Sequence, residues 1–245
     1  MPDSYRALCS DFYINQKVSV KLDLPSSRET VLDLFERVRR EYPAMQSFRR
    51  YEDELALESI PSHGPSRWLA IKPANIRSGV VNPDSFEDAY GLHRCVLEVA
   101  PYFLSISALD IEFVELLFGF DMVTTGNHDA IVAAALLGDS PLASLMDVEG
   151  ATAIDCQPLY GMKLGHDATG IEAHFEVKTR RGTDRVRSDP ISIYLTMRQY
   201  DPGVEVEHLP GMLDRLAERG EHLVNTKLVP ALLAPIRAAI ASSGG

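Results

Sequence analysis

Glu115 is the carboxylate of this 245-residue chain whose surroundings could make it a general acid or base. It lies in the run 111–120, where apolar residues occupy both strand faces from position 113 onward. This pattern predicts a central strand covered on both faces, in which a carboxylate loses solvent and its pKa rises. The alternative, which we favour, is that Glu115 forms an ion pair with an arginine of another strand or points outward at a bulge near Gly119. Asp121, at the end of the same run, is a further candidate ligand-binding residue.

The turn after this strand offers a second kind of chemistry, which is anion binding. Free backbone N–H groups and the helix dipole favour an anion where a helix begins, and Thr125, Asn127 and His128 could contact it. The turn has only one glycine and no lysine, and Asp129 would repel an anion. We therefore favour the alternative in which Thr125 caps the helix and Asp129 interacts with the positive end of the helix dipole.

Histidines and cysteines indicate neither a metal site nor a nucleophile. His174 lies between Glu172 and Glu176 on the polar face of a predicted strand, where such residues are roughly 6.5–7 Å apart, too far to chelate one ion unaided. His93 falls on an apolar helix stripe, which is typical of a buried histidine bonded to a carbonyl. The three cysteines are far apart, and signatures of serine hydrolases, nucleotide-binding loops and zinc proteases are absent from the sequence. We predict no metal and no cofactor, and we favour a protein that is not an enzyme.

The charge distribution is the most unusual feature of the sequence. The net charge of −11 argues against binding to duplex nucleic acid or to an anionic membrane surface. The 68 residues between Arg94 and Lys163 contain no lysine or arginine, but they contain ten carboxylates. A negative surface that confers solubility is the simplest interpretation. A surface for a basic protein partner, or a site for a hard cation, is the alternative.

Hydrophobic periodicity predicts the elements that must position these residues. The predicted strands lie at about 17–24, 48–59, 67–76, 110–123, 153–164, 170–180 and 190–200. Two helices lie between the first four strands, with Ser26 and Asp84 as their expected N-caps and Pro101 at the end of the second. A third helix is predicted at 129–137, and the tail from about 209 to 240 is predicted to be helical and either kinked or divided.

The order of these elements occurs twice along the chain. Residues 16–104 and 109–241 each give a strand, a helix, two or three strands and a helix. Runs of adjacent strands favour an antiparallel sheet with helices packed on one face. We therefore predict an α+β fold in which one globular unit, residues 1–245, contains two pseudo-repeated β-α-β(2-3)-α units. By analogy these units are ferredoxin-like or TATA-binding-protein-like, and such an analogy carries no function.

Two functions from different classes follow from these observations. The first is a non-catalytic protein-interaction or assembly protein, whose acidic second half binds a basic protein partner. The second is a small-molecule-binding protein or enzyme with a pocket between the sheet and the helices. We favour the first, because no catalytic constellation is visible. The apolar surface of the C-terminal helix could also form a homodimer contact. The sequence shows neither a membrane span nor a secretory signal, so we expect a cytoplasmic location.

Overall fold

A computed structural model describes residues 5–60, 64–165, 170–179, 189–200, 203 and 205–243 of the chain. The strands are β1 (Asp11–Val20), β2 (Met45–Arg50), β3 (Leu55–Ser59), β4 (Ser66–Lys72), β5 (Asn75–Val81), β6 (Ile111–Met122), β7 (Leu159–Leu164), β8 (Ile171–Lys178) and β9 (Ile191–Tyr200). The helices are α1 (Arg28–Glu41), α2 (Phe86–Phe103), α3 (His128–Leu137), α4 (Leu209–Leu223) and α5 (Ala234–Ser243).

All nine strands belong to one antiparallel sheet with the order β2-β3-β4-β5-β1-β6-β9-β8-β7. The first strand of each half of the chain, β1 and β6, pair with each other at the centre of this sheet. The edges of the sheet are β2 and β7. The predicted α+β class and antiparallel sheet are therefore confirmed, and the two halves of the chain share a single sheet.

One face of the sheet carries the core. Alternate residues of β1 and β6 are fully buried on this face, and Phe12 of β1 lies opposite Phe120 of β6. Helix α4 lies so close to the same face that Gly220 contacts the ring of Phe118. Helix α2 contacts β5 and lies beside α1, while α3 packs against α5. The alternation that the sequence shows in its strands is therefore the alternation between this core face and the opposite one.

The opposite face, called the open face below, is lined by half-buried polar and aromatic side chains. Two of its aromatic rings lie on glycines of the neighbouring strand, so that no side chain could fit beneath them. A Cβ atom on Gly119 would be 2.1 Å from Cε2 of Tyr13, and one on Gly79 would be 2.3 Å from Cε2 of Trp68. The rings therefore lie flat on the sheet, and each glycine is required by the close approach of its neighbour.

Several predicted strand boundaries are wrong because two tight hairpins were read as single strands. The predicted strand at 48–59 contains β2 and β3, joined at residues 51–54, and the one at 67–76 contains β4 and the start of β5. The turn between β4 and β5 is Pro73-Ala74, a dipeptide with a clear turn-forming residue. The predicted strand at 153–164 begins only at Leu159.

The helix boundaries differ from the prediction by one or two residues. Ser27 caps α1, not Ser26, and Ser85 caps α2, not Asp84; each serine accepts a hydrogen bond from the backbone three residues later. Pro101 lies inside α2 rather than at its end. A proline near the end of a helix removes a single backbone hydrogen bond, so the last half-turn can still form.

The C-terminal part is one continuous helical stretch rather than two separate helices. A π-helical segment, Val224–Leu233, joins α4 to α5 and contains Pro230. By length and composition alone, the stretch Val206–Ser242 is long and apolar enough to cross a membrane. The apolar side of the stretch packs on the chain's own core through Leu228, Leu233 and Ile236, which are fully buried.

Candidate functional site

Glu115 lies on the open face at the centre of the sheet, where it is paired with an arginine. It is opposite Lys17 on β1 and Arg198 on β9. The Arg198 guanidinium donates from Nε to Glu115 Oε2 at 2.8 Å and also from a terminal nitrogen, and it stacks over the Phe113 ring with 4.6 Å to the centroid. The prediction that this strand is covered on both faces is wrong. Among the described residues, Glu115 is covered by side chains of the neighbouring strands and not by a second layer of structure. The ion-pair alternative describes Glu115.

Asp121 lies on the same face, six residues further along β6, which corresponds to roughly 20 Å. Its Oδ1 accepts hydrogen bonds from the hydroxyls of Ser192 at 2.7 Å and Tyr13 at 3.2 Å. Burial, with the nearby Tyr194 and Asp121, raises the pKa of Tyr13 above its usual value. Asp121 therefore fastens three central strands together, and the structure does not bring it close to Glu115.

The turn after β6 holds a helix cap and a clamp. Asn127, not Thr125, caps α3, because its Oδ1 accepts from the backbone N–H of Ala130 at 3.1 Å. The side chain of Thr125 is exposed. The amide nitrogen of the same side chain, Asn127 Nδ2, donates to the carbonyl of Ala153 at 2.7 Å. Asn127 thus connects the start of α3 to a segment 26 residues further along the chain.

The neighbours of Asn127 reinforce this clamp. Asp129 is buried, and its Oδ1 accepts from the backbone N–H of Cys156 at 3.0 Å and from the Thr179 hydroxyl at 2.5 Å. His128 Nε2 lies 3.4 Å from the carbonyl of Thr124. The side chains of Asn127 and Asp129 are therefore directed at the protein itself, and a carboxylate in this position disfavours an anion.

The segment that this clamp holds is the most unusual surface of the protein. We call residues 139–160 the acidic arm. It contains four carboxylates and no lysine or arginine. Sixteen large apolar side chains are exposed in the described part of the chain, and seven of them belong to the arm: Leu142, Leu145, Met146, Val148, Ile154, Leu159 and Tyr160. The short 3-10 turn Pro141–Leu145 within it buries no residue.

Two features of the sequence together indicate this arm, namely its lack of basic residues and the irregular spacing of its apolar residues. The sequence shows the lack of basic residues directly, but the apolar residues at 139–152 follow neither a helical nor a strand period. Apolar residues without a period have no predictable core face. That combination, and not the count of acids, distinguishes an exposed apolar arm from a solvated loop.

A cleft of about 350 Å³ lies at the opposite edge of the sheet, between the start of α1 and the β2–β3 hairpin. We call it the edge cleft. Its lining includes Arg28, Leu32, Phe48, Arg50 and Tyr51, all of which are exposed. Hydrophobic periodicity does not indicate this cleft, because it predicts a single strand over the hairpin that forms it.

A second cleft of about 500 Å³ lies on the open face and is called the open-face cleft. Trp68, the only tryptophan of the chain, lines it together with charged side chains. Those charges are paired with one another: Lys72 lies 3.1 Å from Asp53, and Arg77 contacts Glu54. Neither Glu115 nor His128 lines either cleft.

The remaining histidine candidates have structural partners. His93 is fully buried, and its Nδ1 lies 2.8 Å from the hydroxyl of Ser78, which in turn donates to Gln16 Oε1 at 3.0 Å. His93 also interacts with the backbone of Ile14, so its partners include a hydroxyl that the sequence did not predict. Burial lowers the pKa of His93 to about 3, so its ring is neutral. His174 lies 3.2 Å from Glu172.

The described residues contain no group of three or more histidine, cysteine or carboxylate side chains that could hold a metal ion. The candidate surface that the geometry leaves is therefore the acidic arm, with the edge cleft as a second feature. No family model, curated protein or solved structure matches this chain.

Proposed function

We propose that this chain is a non-catalytic protein-interaction protein that binds a basic partner through its acidic arm. The observation that carries the proposal is the exposure of seven large apolar side chains within 22 residues that contain four acids and no base. Contiguous exposed apolar surface is uncommon on a protein that acts alone. A partner with an apolar patch and a rim of lysine or arginine would match both properties.

The clamp at the base of the arm supports this function. Asn127 and Asp129 fasten the arm at Ala153 and Cys156, so its C-terminal part is held against the body of the protein. A surface that is held in place before binding loses less conformational entropy when a partner docks on it. Of the predicted site residues of the turn, Asn127 is the one that contacts the arm, and in this proposal it positions the arm.

The homodimer contact through the C-terminal helix has less support. Of the six apolar residues that would form it, three are buried in the chain's own core and three are half-buried: Leu228, Leu233 and Ile236 belong to the first group, and Val229, Leu232 and Ile240 to the second. None of the exposed large apolar side chains in the described residues lies between 205 and 243. We therefore place the interaction surface at the arm rather than at this helix.

The pseudo-repeat is the second part of this proposal. The first strands of the two units begin at Asp11 and Ile111, and the caps of the following helices are Ser27 and Asn127, so both landmarks are 100 residues apart. In each unit the first strand pairs with the last, β1 with β5 and β6 with β9. This connectivity supports two TATA-binding-protein-like units, and among the described residues the arm belongs to the second.

A purified-component experiment tests the interaction. The probe is a fluorescent peptide of alternating leucine and lysine, and its binding is followed by fluorescence anisotropy. The double variants Leu145→Ser/Val148→Ser and Asp147→Asn/Glu149→Gln should each weaken binding by at least about tenfold, because the first removes apolar contact and the second removes charge. Higher salt should weaken the wild-type complex.

The matched control for the apolar variant is Leu22→Ser/Leu109→Ser, which removes two equally exposed leucines outside the arm. This control should bind the peptide like the wild type. A peptide of alternating leucine and glutamate should not bind. Equal binding by the wild type and both arm variants would exclude the arm as the interaction surface.

The open-face cleft favours one second candidate, a small-molecule-binding protein. Its volume of about 500 Å³ is within the range of ligand sites. Because Trp68 is the only tryptophan and lines this cleft, its emission reports directly on an occupant. Titration with small-molecule libraries that never shifts Trp68 emission would remove this candidate.

A further inference from the structure

We propose that the partner of the acidic arm is a second copy of the same chain, whose edge cleft receives the arm head to tail. This inference rests on the proposed function, because it names the partner of the same arm. Both surfaces expose large apolar side chains, and they differ in charge, because the edge cleft contains arginines and the acidic arm contains no basic residue.

The edge cleft has the apolar and basic character that the arm requires. Leu32, Phe48 and Tyr51 are 39%, 49% and 50% exposed, so the cleft has an apolar floor that water contacts. Arg28 and Arg50 are exposed at its walls, and neither is in an ion pair with another described residue. An incoming carboxylate would therefore find two guanidinium groups available.

The acids of the cleft do not cancel this charge. Asp53 is paired with Lys72, and Glu54 is paired with Arg77. The lining thus has two arginines and three acids, but two of the acids are paired with cations outside the cleft, so that Arg28 and Arg50 face one acid, Glu52, that has no ion pair among the described residues.

The arm supplies the complementary groups in a short stretch. Leu145 and Val148 are 73% and 59% exposed. Val148 lies between the acids Asp147 and Glu149, and Leu145 lies two residues before Asp147. An apolar side chain of this size placed in the cleft would gain about 1.5–3 kcal/mol when fully buried. Charge pairing with the arginines would then set the orientation of the arm more than its affinity.

The arm and the cleft of one molecule lie toward opposite edges of the sheet. The cleft lies beside the edge strand β2, while the arm leads into the other edge strand, β7. Eight interstrand spacings separate these strands, which corresponds to roughly 38 Å. The contact is therefore between different molecules, and because arm and cleft are different surfaces, it is heterologous. Such contacts produce rings or open filaments rather than closed two-fold dimers.

Two variants, each of which removes one of the two contact surfaces, test this inference by sedimentation velocity. Arg28→Glu/Arg50→Glu makes the cleft acidic, and Leu145→Ser/Val148→Ser removes the apolar side chains of the arm. The wild type should form oligomers whose mass rises with concentration, and each variant alone should stay at the monomer mass of 27.1 kDa. An equimolar mixture of the two should stop at the heterodimer, because it contains one intact cleft and one intact arm per pair.

The matched control for the cleft variant is Arg219→Glu/Lys227→Glu, which makes the same change in net charge at exposed positions of the C-terminal helical stretch, outside the lining of the cleft. This control should assemble like the wild type. Circular dichroism spectra that match the wild type establish that each variant is folded. Oligomers larger than a heterodimer in the mixture, or assembly by the cleft variant alone, would overturn the head-to-tail contact.

The peptide experiment separates this inference from the function it rests on. If the wild type remains monomeric while the leucine–lysine peptide still binds through the arm, the self-assembly is wrong and the interaction function stands. If the wild type neither assembles nor binds the peptide, both are wrong.

Discussion

Replacing Gly220 with alanine should destabilise the protein, although the same change normally stabilises a helix. Gly220 lies in the interior of α4, where alanine is favoured over glycine by roughly 1 kcal/mol. The new Cβ would be 2.3 Å from Cε2 of Phe118 and 3.2 Å from Cγ of Met197. Carbon atoms in contact are normally about 3.5–4.0 Å apart, so either the helix or the ring must move by more than 1 Å.

The size of the effect follows from the burial of the ring. Phe118 is fully buried beneath α4, so it cannot rotate into solvent as an exposed side chain could. Overpacking in a core costs about 1–3 kcal/mol. Taking the upper part of this range, because the contact is so short, and subtracting the helix preference gives a net loss of about 2 kcal/mol. For a chain of this length that corresponds to a melting temperature roughly 4–8 °C lower.

The same helix provides the control. Gly211 is exposed, and a Cβ there would have no atom within 4 Å. Gly211→Ala should therefore raise the free energy of unfolding, by up to about 1 kcal/mol. Thermal and urea unfolding followed by circular dichroism measure both variants. A Gly220→Ala protein as stable as the wild type would refute the close packing of α4 on β6.

Two further predictions concern the buried histidine and the clamp. Because the pKa of His93 falls from 6.5 in the unfolded chain to about 3 in the fold, the unfolded state binds a proton first. The stability that the neutral His93 contributes is therefore fully present above pH 6.5. As the pH falls from 6.5 toward 3, the free energy of unfolding decreases by about 1.4 kcal/mol per pH unit. A His93→Asn variant should lack this decrease when its free energy of unfolding is measured by urea titration at several pH values. Asn127→Asp keeps the oxygen that caps α3 but cannot donate to the carbonyl of Ala153. Limited proteolysis should therefore cut the arm faster in this variant, with little change in melting temperature; unchanged cleavage would show that the Ala153 bond does not hold the arm.

The period-two pattern of strands was predictable from the sequence, but its ends were not. The first strand was predicted at 17–24 and lies at Asp11–Val20. Gln16, which is fully buried on the core face and bonded to Ser78, interrupts the apolar alternation that would have extended the strand to Phe12. Leu22 completes the apparent pattern on the other side but is 70% exposed. Both errors arise because polarity predicts burial only on average.

The candidate site was only partly predictable for a related reason. Glu115 forms an ion pair with an arginine, which is one of the alternatives favoured above, because an isolated carboxylate between apolar residues needs a partner. Which arginine fills that role depends on the pairing of β6 with β9, across more than 80 residues. The same is true of Asn127 and Ala153, whose bond depends on the return path of the arm. Local patterns predict elements, whereas these contacts depend on how distant elements meet.

The central pairing of β1 with β6 has a consequence for the synthesis of the chain. Residues 5–104 contain every strand from β1 to β5, so this half can form its part of the sheet while the rest is still being translated. In that nascent state β1 is an uncovered edge, and its backbone groups remain available to any passing strand until Met122 has emerged. Mispairing during translation is therefore expected to centre on β1, although β1 lies in the interior of the finished sheet.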